Sequence, residues 1–136
     1  MDVKTFEYVI FGFMLLLVLA LYKKRKKVTI VIDEEKQKCE SPIERKVYDL
    51  LFYNGYYPTT QVRVGIYRID IALSSHKIAL ECDGKDFHTS LIDKARDRRK
   101  DAYLRSNGWV VIRFTGSRIN KDLNGILNQI NNVIIR

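Results

Sequence analysis

Acidic residues interrupt two apolar, strand-like runs between positions 67 and 83. Asp70 lies inside the first run, and Glu81 and Asp83 lie at the end of the second. Strand interiors normally exclude carboxylates, because burying an unpaired charge is expensive. The serine pair at positions 74–75 predicts a turn between the runs, so we expect an antiparallel hairpin. A hairpin that carries three carboxylates needs something to neutralise them.

The register of this hairpin predicts where the acids meet. With a turn at the serine pair, Asp70 stands opposite Ala79 or Leu80, close to Glu81. The two later acids are two residues apart and share one face of their strand. Like charges at this range repel, so a cation must neutralise them. A hard divalent cation such as magnesium suits an all-oxygen cluster.

The remaining patterns complete an α/β domain from position 41 to position 136. An S-x-x-E capping box at Ser41 and Glu44 opens the first helix. Three consecutive strands predict a meander, and the fourth strand is expected to join the sheet through a helical crossover. We therefore expect a mixed sheet flanked by helices. The predicted elements are helices over about 42–53, 91–106 and 120–133, and strands over 59–64, 66–73, 76–82 and 109–114.

Five short motifs occur together in this domain. They are S-P-I-E at 41–44, R-I-D at 68–70, E-C-D-G at 81–84 followed by His88, D-x-x-K-D at 97–101, and G-W-V-V-I-R-F at 108–114. In this order and spacing they resemble the PD-(D/E)xK nuclease superfamily. The resemblance is greatest to its small branch related to very-short-patch repair endonucleases and to restriction-like domains of unknown function. It implies a restriction-endonuclease-like core of order α-β-β-β-α-β-α.

The resemblance also implies a reaction, the metal-dependent hydrolysis of DNA phosphodiester bonds by an endonuclease or nickase. Asp70 and Glu81 would bind magnesium, or manganese in its place, and the ion would activate water and stabilise charge on the phosphate. The superfamily's third motif usually ends in lysine, but Asp83 stands at that position here and would be a further ligand. Glu44 is either another ligand or only the capping residue of the first helix.

Basic residues near the acids would supply the charge that the usual lysine brings. Lys85 and Lys100 are the candidates for the site itself. His88 is either a general base or a cap of the loop before the next helix. Arg96 and Arg99 would hold phosphates, although the basic residues of this helix would also serve simply to neutralise its acidic stripe. That stripe consists of Asp93, Asp97 and Asp101.

The charge balance favours an anionic partner. The net charge of +8 fits nucleic acid or a membrane surface, and the resemblance implies DNA. A domain this small would need a second copy to cut both strands, so a homodimer is a further expectation. The two cysteines are too few for a disulfide framework, and we interpret them as free thiols in a reducing compartment.

The first 27 residues are expected to form a membrane anchor. An uncharged apolar stretch covers positions 8–22, and the basic cluster KKRKK follows at 23–27. The positive-inside rule then places the N-terminus outside and the domain in the cytoplasm of a single-pass cell-membrane protein. A cleaved signal peptide is the alternative, although its positive charge would precede the apolar stretch. We interpret 28–40 as a linker and 41–136 as the endonuclease-like domain.

Two other functions remain open on the sequence. One is a catalytically inactive nuclease-fold module that binds nucleic acid at the membrane without a metal requirement. The other is a membrane-bound interaction protein whose positive charge serves lipid alone. An inactive relative is expected to have lost one of the acids, and this chain keeps all three, which favours the nuclease.

Overall fold

The computed structural model describes Tyr8 and residues 10–18, 33–84 and 90–135, and the chain divides into two units, Met1–Ile32 and Asp33–Arg136. In the first unit Tyr8 and residues 10–18 are helical. Within the described residues, no helix is both long enough and apolar enough to cross a membrane. The basic cluster predicted to lie beside the membrane, 23–27, falls outside the described residues.

The second unit contains a four-stranded mixed sheet with helices packed against it. The strands lie in the order β1-β2-β3-β4; the first two pairings are antiparallel and β3 pairs with β4 in parallel. This confirms the predicted meander followed by a helical crossover. The elements are α1 (Glu34–Gln37), α2 (Pro42–Tyr53), β1 (Thr59–Val64), β2 (Tyr67–Leu73), β3 (Ile78–Asp83), α3 (Leu91–Ser106), β4 (Val110–Thr115), α4 (Gly116–Lys121) and α5 (Leu123–Ile134).

Two helical segments differ from the predicted element boundaries. The second half of the segment interpreted as a linker forms α1, and Glu35 of this helix accepts hydrogen bonds from the backbone and hydroxyl of Thr60 on β1. The last helix begins at Leu123 rather than at 120, with α4 as a separate helix before it. The two helices separate because Asp122 leaves the helical conformation and its side chain accepts the Gly125 amide at 2.8 Å.

The turn between β2 and β3 shifts the hairpin register by one residue. Residues Ser74–His76 form a 3₁₀ turn, and Lys77 follows in the left-handed conformation at φ +53°. This turn is longer than the predicted two-residue turn, so Ile71 pairs with Leu80. The expected pairing of Asp70 with Ala79 or Leu80 is therefore wrong. One step beyond the observed pair, Asp70 and Glu81 stand level on neighbouring strands.

Apolar side chains pack against both faces of the sheet, but one face buries many more of them than the other. One face packs against α2 and α5, where Val47, Leu51, Phe114, Ile126 and Ile130 are fully buried. The other face carries a small apolar cluster beneath α3. Leu104 is the one buried residue of α3. Trp109 belongs to that cluster, and both cysteines are free and buried. Because α3 buries so little, its charged side chains remain available beside the ends of β2 and β3.

Candidate active site

Asp70 is held where strands β2 and β3 part. Its Oδ2 accepts the backbone N–H of Cys82 at 2.9 Å, so a strand amide is bonded to a side chain instead of a backbone carbonyl. Burial raises the pKa of Asp70, while the Cys82 amide and Lys100 act in the opposite direction. The carboxylate is thus fixed in position by the backbone of the next strand.

Glu81 is the buried carboxylate of the site. Its residue is 3% exposed. Burial first, and then the nearby charge of Asp70, raise its pKa to about 7, while Lys100 works to lower it. Its Oε2 accepts a hydrogen bond from the Lys100 ammonium. Its Oε1 is buried and has no hydrogen-bond partner in the described part of the chain.

Lys100 reaches the acids from α3, a different element from the one that carries the superfamily's usual lysine. Its ammonium forms an ion pair with Glu81, and both side chains are largely shielded from solvent, at 17% and 4% exposure. Lys100, one of the two lysines predicted to serve the site, is thus confirmed to contact an acid of the site. Lys85 and His88 lie outside the described residues, so their roles stay predictions.

Asp83, two residues after Glu81 on β3, is bound by an arginine. Its Oδ1 accepts from Arg113 Nη1 at 3.2 Å, and its side chain is 45% exposed. Arg113 Nη2 also lies 2.8 Å from Asp101 and 3.8 Å from Asp97. The acidic stripe of α3 is therefore neutralised largely from β4. The sequence reasoning did not single out Arg113, although an arginine within the apolar run of β4 is a visible signal of a buried partner.

Glu44 acts as a helix cap. Its carboxylate accepts the Ser41 hydroxyl at 2.7 Å and the Glu40 amide at 3.0 Å, while the Ser41 oxygen accepts the Glu44 amide. Gln61 Nε2 is a further donor, at 3.0 Å. These contacts match the capping interpretation of this residue. Its charge still acts on Asp70, whose pKa it helps to raise.

The placement of the acids decides whether they can hold a divalent ion. In the described residues, no three histidine, cysteine, aspartate or glutamate side chains form a cluster that could hold a metal on their own. All four acids have hydrogen-bond partners, so this criterion does not separate them, and Asp83 and Glu44 stay predicted ligands beside Asp70 and Glu81. Magnesium is commonly held by one or two carboxylates together with water and substrate phosphate. Glu81 Oε1, a buried carboxylate oxygen with no donor in the part of the chain that the structure describes, fits this kind of site.

A cleft of about 310 Å³ opens beside Asp70. Arg68, Arg96 and Lys100 contribute positive charge to its walls. Arg96, predicted to contact phosphate, thus lies beside the acids; Arg99 is exposed on the same helix. A cleft with basic walls next to carboxylates suits a phosphodiester. Its lining consists of Ile66, Tyr67, Arg68, Asp70, Arg96, Asp97 and Lys100.

The helix, meander and crossover, with acids where the pairing of β2 and β3 ends, define a restriction-endonuclease-like domain of the PD-(D/E)xK type. The chain belongs to the REase_MTES_1575 family, whose model matches residues 43–134. Over 90 residues it is 33% identical to the uncharacterized protein YcjD of Escherichia coli K12, a match that spans 64% of this chain and 74% of YcjD. The fold also matches the catalytic domain of the homing endonuclease I-Bth0305I, with a TM-score of 0.59 and 23% identity over 70% of this chain and 95% of that domain. The predicted superfamily resemblance is confirmed at the level of fold.

Proposed function

We propose that this protein is a divalent-metal-dependent endonuclease that hydrolyses phosphodiester bonds of DNA. The observation that carries the proposal is the arrangement of Asp70, Glu81 and Lys100 beside a basic cleft. Two carboxylates and an ammonium form the minimum set that binds a divalent ion and a phosphate together. Membership of a restriction-endonuclease-like family and the fold of a homing endonuclease's catalytic domain support the same reaction class.

The roles of the residues follow from their positions. Asp70 and Glu81 would hold magnesium or manganese, and that ion, when bound, supplies an activated water and charge stabilisation at the phosphate. The Cys82 amide orients Asp70. Lys100 favours the ionised form of Glu81 and lies in the cleft wall, where its ammonium can neutralise charge on a phosphate oxygen. Arg68 and Arg96 would bind the DNA backbone on either side of the reacting bond.

The second candidate is a DNA-binding module without catalysis. It is favoured by one observation, the ion pair between Asp83 and Arg113. Asp83 stands at the position where the superfamily usually has lysine. Such a module would bind DNA tightly at low salt and lose affinity steeply as salt rises, with or without a divalent ion. Retention of Asp70, Glu81 and a paired lysine is the reason to prefer the nuclease.

Incubation of the full-length chain with supercoiled plasmid and with single-stranded DNA separates these candidates. The nuclease is expected to convert the plasmid to nicked or linear DNA in magnesium or manganese and to leave it intact in chelator. The binding module would shift the plasmid on a native gel under all three conditions without cutting it. Cleavage that persists at full rate in chelator would contradict the proposed metal dependence.

We also propose that the N-terminal stretch anchors the chain in the cell membrane with the domain on the cytoplasmic side. Support comes from the uncharged run at 8–22 and the basic cluster at 23–27. An anchored chain is expected to stay with the membrane pellet after extraction at alkaline pH. Release of the intact chain into the supernatant would contradict the anchor.

A further inference from the structure

Gln61, in the middle of β1, has an unusual backbone conformation. Its φ is +55°, a left-handed value that residues other than glycine and asparagine rarely adopt. The neighbouring pairs on β1 and β2 are Thr60 with Ile71 and Val62 with Ile69, so Gln61 stands level with Asp70. Backbone conformations of this kind are unfavourable, and they concentrate at functional sites.

The side chain of Gln61 is only half satisfied. Its Nε2 donates to Glu44 Oε2 at 3.0 Å. Its Oε1 is buried and has no hydrogen-bond partner among residues 33–84 and 90–135. Of the buried side-chain polar atoms in the described residues, the only other one without a partner is Glu81 Oε1. A buried acceptor that lacks a donor is unfavourable, so Gln61 combines two local costs in the free chain.

The register of the sheet places Gln61 and Glu81, the residues that carry these two oxygens, on either side of Asp70. Gln61 is level with Asp70 across β1 and β2, and Asp70 is level with Glu81 across β2 and β3. The partner of Gln61, Glu44, lies close enough for its charge to affect the pKa of Asp70. Gln61, Asp70 and Glu81 therefore stand in one row across three neighbouring strands.

We propose that Gln61 is a positioning residue of the metal site, with its Oε1 accepting a hydrogen bond from the hydration shell of the divalent cation. This inference rests on the proposed function, because Asp70 and Glu81 are the residues that would hold the cation. Nε2 fixes the orientation of the amide by its bond to Glu44, which leaves Oε1 as the acceptor. Residues that orient a metal site in this way typically alter metal affinity 10–100-fold when they are replaced.

The test is a calorimetric titration of the full-length chain with Mn²⁺. Gln61→Asn keeps an amide and tolerates the left-handed backbone, but it is one methylene too short to keep the Glu44 contact and the position of Oε1 together. We expect it to bind Mn²⁺ roughly 10–100-fold more weakly without a lower melting temperature. Gln61→Gly suits the backbone better still, so it is expected to bind weakly while melting at a higher temperature.

Lys77→Asn is the matched control, because Lys77 is the other non-glycine residue with a left-handed backbone in the described part of the chain and lies before the opposite end of β3. Its Mn²⁺ affinity is expected to equal that of the wild type. Wild-type affinity in both Gln61 variants would overturn the inference while leaving the proposed nuclease intact. A wild-type chain that binds no Mn²⁺ would overturn the proposed metal dependence, and this inference with it.

Discussion

Glu81→Gln is expected to reduce metal-dependent DNA cleavage by about 1,000-fold and to leave the chain folded. Glutamine has the same shape and can still accept from Lys100, but it lacks the charge that holds a divalent ion. A bound ion contributes several kcal/mol to the reaction, and about 4 kcal/mol corresponds to about 1,000-fold in rate. Asp70→Asn is expected to show a similar loss, since its side-chain oxygen can keep the Cys82 amide bond. Initial rates of plasmid nicking in magnesium measure both effects.

The matched control is Glu34→Gln, which removes one negative charge from an exposed position on α1. It is expected to cleave at the wild-type rate. Circular dichroism of each variant shows whether the fold is retained. Undiminished cleavage by Glu81→Gln would contradict the assignment of Glu81 as a metal ligand, and a loss in the control alone would point to a different part of the chain.

Lys100→Met is expected to destabilise the protein by about 3–5 kcal/mol at about pH 8, because it leaves the buried Glu81 carboxylate without its partner. The effect depends on pH. The folded pKa of Glu81 is about 7 and its ordinary value is 4.5, so the folded state holds this proton more tightly. The free energy of unfolding therefore falls as pH rises between these two values and levels off above the higher one.

Removing Lys100 takes away a charge that lowers the pKa of Glu81, so the folded pKa rises further and the decline extends to higher pH. At about pH 5 the folded state of both proteins holds Glu81 protonated, and the difference between them is expected to shrink. Urea denaturation at the two pH values measures this. The double variant Glu81→Leu/Lys100→Met is expected to recover most of the lost stability, because it removes both buried charges.

Lys36→Met is the control for this pair. Lys36 is ion-paired with Asp49, and both side chains are about one-third exposed, at 39% and 35%. Loss of such a pair typically costs less than about 1 kcal/mol. Equal destabilisation by Lys36→Met and Lys100→Met, or a Lys100→Met effect that is the same at both pH values, would contradict the account of a buried Glu81–Lys100 pair.

Much of the sheet and its acids could be predicted because local patterns determine them. Alternation placed Asp70 and Glu81 on adjacent strands, and the Ser41–Glu44 spacing indicated the helix cap that the structure contains. The hairpin register was missed by one residue because it depends on Lys77, a non-glycine residue in the left-handed conformation. Propensity gives no signal for lysine in that conformation, so the longer turn could not be inferred.

The contacts that pair each acid with a basic side chain are long-range, and the sequence does not specify them. Arg113 binds Asp83 from 30 positions away along the chain. Lys100 pairs with Glu81 because α3 packs against the sheet, which the sequence does not show. Gln61 gave no signal at all, because neither its left-handed backbone nor its unpaired oxygen follows from residue type. Local patterns thus identified the acids, whereas tertiary packing determined which basic side chain pairs with Glu81 and which with Asp83.

The most direct test of the site is an anomalous difference map from crystals of the full-length chain grown with Mn²⁺. The expected result is a peak within about 2.2 Å of carboxylate oxygens from both Asp70 and Glu81, the distance at which small divalent ions bind oxygen. Loss of the peak in Glu81→Gln crystals would complete the assignment. A peak elsewhere on the chain, or none while Glu81 keeps its Lys100 contact, would contradict the claim that this pair of carboxylates holds the ion needed for cleavage.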